Sequence, residues 1–208
     1  KISPMNLYSS TITDELKIST MQQGKVIAMS IKDRGSALPG GHYSDGSYWY
    51  DSNTGTFMTS TYYMNKLPDW MVKFNNRKLA DQYLNQTWNT SKAISEYTES
   101  GVDNSPYEGG FKGKDTPTFP YDLSKLRKEN GNFGMLPSTP FGNTLLNELA
   151  LAAIDAEGLG ADAITDFLAV SFSSPDYIGH NFGPQSKEVQ DTYIRLDNEI
   201  ERLLNALD

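Results

Sequence analysis

Two short runs, KVIAMSI at 25–31 and DFLAVSFS at 166–173, constrain the fold more than any other feature. Both are apolar along most of their length rather than alternating. Each therefore predicts a strand buried on both faces, the kind found in parallel sheets. A helical pattern precedes each one. Ahead of the first, in TITDELKISTMQQG, Thr11 and Asp14 suit a capping box, Ile12, Leu16 and Ile18 form an apolar stripe, and Gly24 is a stop. Ahead of the second, Thr139 caps, Pro140 takes the first helical position, and Phe141, Leu145, Leu149 and Ala153 make the stripe that Gly158 ends. Two helix–strand units predict an α/β fold with a largely parallel sheet flanked by helices. In such sheets ligands collect beyond the carboxyl ends of the strands.

The remaining segments are less regular. KDRGSALPGGH (32–42) reads as a Gly/Pro-rich turn, and SYWYD and TFMTSTYY flank SNTG as an antiparallel hairpin within 42–63. LPDWMVKFNNRKLADQYL predicts one or two short helices. Residues 87–138 lose all periodicity and read as a long irregular insertion, either a lid over a site or an inert surface excursion. The chain finishes on a helix whose stripe is Val189, Tyr193, Leu196, Ile200 and Leu203, with Asp191 and Arg195 as an i,i+4 pair on its wet side. No internal repeat is present, and residues 1–208 read as a single partial domain.

Charge and composition exclude several functions. The formal charge of −8 argues against a nucleic-acid polymer as partner. No run approaches the roughly 20 apolar residues of a membrane helix. There is no cysteine, which removes disulfides, thiolate nucleophiles and cysteine zinc sites.

Two small constellations then stand out, each just after one of the apolar strands. Asp176 and His180 are four apart, so on a helix they share one face and can both reach a divalent ion. Spacing alone is equally served by a helix-initiating aspartate and an unrelated surface histidine. Lys32 and Arg34, two apart at a strand end, can address one anion, although a solvated pair beside a turn has the same spacing. His42, the second histidine of the chain, reads as a loop residue.

Context sharpens both. Pro175, Asp176, Gly179, His180, Gly183 and Pro184 form Pro-Asp-x-x-Gly-His-x-x-Gly-Pro, which resembles the signature of the type I phosphodiesterase/nucleotide pyrophosphatase group of the alkaline phosphatase superfamily. SIKDRGSALPGGH with the aromatic hairpin after it and STITDELK before it looks like the PafA-type bacterial alkaline phosphatases of that superfamily. The resemblance covers residues 8–63 and 166–197. It implies a two-zinc enzyme acting on phosphate esters through a covalent phospho-threonine. Asp176 and His180 match two ligands of one zinc, and Lys32 and Arg34 match the groups that contact the phosphoryl oxygens. A periplasmic or secreted location is implied as well. Two cations suit the dianion of a monoester better than the monoanion of a diester, so monoester hydrolysis is the expectation and diester hydrolysis the alternative.

The pattern is incomplete in this chain. With only two histidines it cannot supply a dinuclear site, and Thr11, Thr13, Thr20 and Thr139 lack the setting of the nucleophile, so none is assigned. The expectation is an internal fragment of a larger phosphatase, inactive alone and binding zinc weakly. An alternative of a different class, a non-catalytic glycan-binding module, rests on the aromatic hairpin as a sugar platform. A sulfatase is disfavoured by the absence of cysteine.

Overall fold

A computed structural model describes residues 2–207. The chain forms two compact units: residues up to Asp51, Thr56–Arg77 and Leu146–Phe172 in the first, and Ser52–Gly55, Lys78–Leu145 and from Ser173 onward in the second.

The first unit is built on a four-stranded sheet of β1 (Val26–Ser30), β2 (Gly46–Asp51), β3 (Thr56–Met58) and β6 (Phe167–Ser171), in the order β3-β2-β1-β6. β1 pairs in parallel with both β2 and β6, and β2 pairs antiparallel with β3 across the SNTG connection. The expected hairpin is therefore present, but its first strand is also an inner strand of the parallel sheet. β1 is fully buried. β6, at the sheet's edge, is half-buried along its whole length, where the apolar run predicted full burial. Its register partners in β1 are closed on both sides, whereas among the described residues β6 has a strand neighbour on one side only.

Helix α1 (Ile12–Ser19) has the predicted capping box, with the Thr11 hydroxyl accepting from Asp14 N–H and the Asp14 carboxylate accepting from Thr11 N–H. Its buried face corrects the sequence expectation. Ile12 and Ile18 face solvent, and Thr13, Asp14 and Lys17 are buried. The polar face lies inward because every group on it is matched. The Lys17 ammonium bonds the Gly24 carbonyl and Asp45, and Asp14 accepts from His42.

The second correction is α2 (Asp33–Gly40), which occupies the stretch read as a turn. Ser36 Oγ donates to the Ala28 carbonyl at 2.9 Å and pins the helix to β1. Gly35 makes that packing possible. A Cβ there would sit 2.5 Å from Ser30 Oγ and 3.1 Å from Ser171 Oγ. Glycine and Pro39 thus reflect close approach and helix termination, not a turn. α3 (Asp69–Asn76) packs beside β3, with Asn75 bonding both the N–H and the carbonyl of Phe57.

The second unit contains α4 (Leu79–Tyr83), the two-stranded pair β4 (Thr87–Trp88) and β5 (Tyr121–Asp122), α5 (Leu123–Leu126), α7 (Ser174–Phe182) and α8 (Lys187–Asn205). α6 (Phe141–Glu157) divides its residues between the units; its predicted stripe is buried and Gly158 follows it at φ +61°. Residues 87–138 are mostly irregular but not superficial. Trp88, Tyr97, Phe111 and Tyr121 are buried, and Trp88, Phe111, Phe119, Tyr121 and Phe182 interlock with ring centroids 5.3–6.0 Å apart.

α8 repeats the inversion seen in α1. Val189 is buried, but Tyr193 and Ile200 are exposed, while Glu188, Asp191 and Thr192 are buried. Asp191, expected on the wet side, is fully enclosed. Its Oδ1 accepts from Ser91 N–H, Ser91 Oγ and Tyr97 OH, and its Oδ2 accepts from Trp88 Nε1 and Arg195 Nε, all at 2.5–2.7 Å. Burial pushes the carboxyl pKa up, and these donors more than reverse that, leaving it below the usual carboxylate range.

Candidate functional site

β1 and β6 run in parallel register to a common end, with Ser30 opposite Ser171 and the Ser30 hydroxyl donating to the Ser171 carbonyl at 3.2 Å. The chain passes from β1 into α2 and from β6 into α7, so both candidate pairs follow carboxyl ends of adjacent parallel strands.

Lys32 is the N-cap of α2, in extended backbone, and its N–H donates to Ser30 Oγ at 3.1 Å. Arg34 is the second residue of the helix, and its side chain is exposed without a hydrogen bond or ion pair to the described residues. The two cations therefore flank the first turn of a helix rather than alternating along a strand, as their spacing had suggested. At that helix start the Arg34 N–H donates to the Asp33 carboxylate at 2.5 Å, so a carboxylate sits between the two cations.

Asp176 and His180 lie one turn apart on α7, with His180 Nε2 3.5 Å from Asp176 Oδ1. Pro175 in the first turn fixes the helix start, and Gly183 at φ +91° ends it. Both side chains are largely exposed, at 52% for Asp176 and 83% for His180. A groove of about 380 Å³ runs past them, lined also by Pro175, Gly179, Val189 and Tyr193. A second groove, about 330 Å³, opens on His180 beside Phe111, Ser138, Tyr177 and Asn181.

One carboxylate oxygen and one imidazole nitrogen at this separation are suitable donors for a zinc ion. Among the described residues no group of three or more His, Cys, Asp or Glu side chains could hold a metal ion. The pair by itself is two donors, short of the about four that a zinc ion takes.

His42 sits in the loop after α2, with Nδ1 2.8 Å from Asp14 Oδ2 and Nε2 3.0 Å from the Leu7 carbonyl oxygen. Two acceptors facing the two ring nitrogens hold it as an imidazolium, chiefly through Asp14, and raise its pKa. Asp14, although buried, is brought down to about 2 by the donors around it. Sequence spacing could not reveal this pair, because its members are 28 residues apart and belong to elements that looked unrelated. For Asp191 the i,i+4 partner Arg195 was readable, but the donors from Trp88, Ser91 and Tyr97 lie about 100 residues away and were not.

Of the hairpin aromatics, Tyr48, Trp49, Tyr50 and Phe57 are all 6% exposed or less and cannot serve as a sugar platform, while Tyr62 and Tyr63 are half-buried.

The family model described as type I phosphodiesterase / nucleotide pyrophosphatase matches residues 36–208. Alkaline phosphatase PhoV of Synechococcus elongatus is 51% identical over 207 residues, covering 100% of this chain and 37% of PhoV. Alkaline phosphatase PafA of Elizabethkingia meningoseptica is 50% identical, covering 99% of this chain and 38% of PafA. A protein named calcium-transporting ATPase from Myroides odoratus is 53% identical over 208 residues, with 38% of its length covered. The crystal structure of wild-type PafA matches with a TM-score of 0.93 at 48% identity, over 99% of this chain and 39% of that one. The chain thus spans less than two fifths of the length of these relatives. It belongs to the type I phosphodiesterase / nucleotide pyrophosphatase family.

Proposed function

We propose that the chain is an internal part of a zinc-dependent phosphate monoester hydrolase of the alkaline phosphatase type, incomplete as a catalyst by itself. Two relatives of about 50% identity are named alkaline phosphatases, and this chain corresponds to under two fifths of each. The half-buried β6 and the exposed stripe of α8 support the same reading. Apolar strands of parallel sheets and amphipathic helices normally bury these surfaces against further chain.

Asp176 and His180 would supply two ligands of one zinc, which when bound provides Lewis-acid neutralisation of phosphate charge. Lys32 and Arg34 bind and orient the substrate phosphoryl group. Negative charge gathering on the nonbridging oxygens then meets the fixed positive charge of the two side chains. No residue of this chain is assigned as nucleophile. A periplasmic or secreted location fits the reading; among the described residues no helix is long and apolar enough to cross a membrane.

The single observation that carries the monoester preference is Arg34, an exposed cation two residues from Lys32 at a helix N-terminus, its side chain without a partner among the described residues. A monoester dianion gains more from it than a diester monoanion. The alternative, diester or nucleotide pyrophosphate cleavage, is favoured by the description of the matching family. In the full-length parent, Arg34→Ala should lower kcat/KM for a monoester by about 10²–10³ and for a diester by about tenfold or less. Equal losses for both substrates would reject the monoester assignment.

A further inference from the structure

Ser30 closes the apolar run of β1 and is fully buried behind Val26, Ile27, Ala28 and Met29. A hydroxyl enclosed in such a strand needs partners. It can donate one O–H and accept through its lone pairs, and Ser30 does both. Its O–H donates to the Ser171 carbonyl at 3.2 Å, and its Oγ accepts from the Lys32 N–H at 3.1 Å.

We propose that Ser30 is a positioning residue for phosphoryl binding: through these two bonds its hydroxyl sets where Lys32 leaves the sheet, and so where the Lys32 ammonium meets the phosphoryl oxygens. The inference rests on the role proposed above for Lys32.

Lys32 stands where the chain turns from β1 into α2. Its backbone is extended, at φ −91° and ψ 136°, and as N-cap its side chain makes no capping bond. Its course is fixed instead through its own N–H, received by a hydroxyl two residues back in a short side-chain-to-backbone turn. That same hydroxyl is anchored on β6, where Ser171 is the register partner of Ser30. The exit of β1 is thereby tied to the neighbouring strand. Being fully buried, Ser30 does not touch a substrate itself; it acts through Lys32.

The following turn of α2 is seated separately. A Cβ on Gly35 would lie 2.5 Å from Ser30 Oγ and 3.1 Å from Ser171 Oγ, so glycine leaves the hydroxyl room for both of its bonds. One residue on, Ser36 Oγ donates to the Ala28 carbonyl at 2.9 Å. Loss of the Ser30 hydroxyl would therefore free Lys32 while Ser36 still holds the helix. A charged group shifted by a fraction of an ångström from its working position loses much of its effect on the reaction.

A double-mutant cycle in the full-length parent tests this, read as kcat/KM for p-nitrophenyl phosphate and as competitive inhibition by inorganic phosphate. Ser30→Ala should lower kcat/KM and weaken phosphate inhibition, each about tenfold. In a Lys32→Ala background the same replacement should change either by less than about twofold, because the side chain that Ser30 positions is gone. A general loosening of the fold would cost the same factor in both backgrounds, and that result overturns the proposal. So does a Ser30→Ala parent with wild-type constants. Ser30→Cys, with a thiol of similar size and weak accepting power, carries the same test if the alanine variant does not fold. Lys32→Ala alone separates the two levels. Unchanged constants in that variant would reject the phosphoryl-binding role and this inference with it; weakened constants there, beside Ser30 variants that behave as wild type, would reject the inference alone.

Discussion

Replacing Asp191 by alanine removes the acceptor for five donors at once, and the consequence can be worked from the geometry. The carboxylate is fully buried and binds Ser91 through both its N–H and its hydroxyl, Tyr97 OH, Trp88 Nε1 and Arg195 Nε. Hydrogen bonds to a charged group are worth about 1.5–3 kcal/mol each, but they share one acceptor and do not add. The better guide is the loss of one partner of a buried ion pair, about 3–5 kcal/mol. Trp88 Nε1–H is left with no acceptor in a buried site, while Arg195 is 30% exposed and recovers some hydration. Both considerations place Asp191→Ala at about 4 kcal/mol. Urea unfolding followed by near-ultraviolet circular dichroism of the Trp88 cluster reads this directly. With an m-value of about 2 kcal/mol/M, the midpoint should fall by about 2 M. Asp191→Asn, which retains an acceptor oxygen and loses the charge, should cost roughly half as much. A loss under about 1 kcal/mol for Asp191→Ala would show that the network is not what secures residues 88–97 to α8.

Two further predictions concern the sheet unit. His42 has a raised folded pKa, so its contribution is complete below about pH 6.5 and disappears as pH rises through the folded value. The melting temperature of the wild type should therefore decline relative to His42→Gln on going from mildly acidic to alkaline buffer, and parallel profiles would refute the Asp14–His42 ion pair. Gly35→Ala should destabilise by about 1–3 kcal/mol in urea titration, because its Cβ would meet Ser30 Oγ at 2.5 Å; an unchanged midpoint would show that α2 can shift off the strand.

Legibility in the sequence followed the range of the interactions involved. β1, α6 and the SNTG hairpin depend on local patterning, and the structure contains them where the patterns placed them. α1 and α8 were legible as helices but not as faces. Their polar sides are buried because partners distant in sequence match them: Asp45 and His42 for α1, Trp88, Ser91 and Tyr97 for α8. A hydrophobic stripe marks the side that needs covering, and on α8 the described residues leave much of that side open. α2 was hidden because its glycines and proline serve close packing, which a single sequence cannot separate from turn formation. The Asp176–His180 spacing could be read since both residues lie on one helix. Of the Asp191 network only the i,i+4 partner Arg195 could be read in the same way; the Trp88, Ser91 and Tyr97 donors and the Tyr121 contact of Glu188 carried no comparable signal.

The most direct test of the phosphatase assignment is a paired measurement on the full-length parent, with zinc content and p-nitrophenyl phosphate turnover determined for wild type, Asp176→Ala and His180→Ala. Each variant should lose bound zinc and lower kcat/KM by at least about 10²-fold, while the 1–208 chain alone shows no turnover. Full zinc content and unchanged turnover in both variants, or zinc-stimulated turnover by the 1–208 chain that survives loss of Asp176, would contradict the assignment.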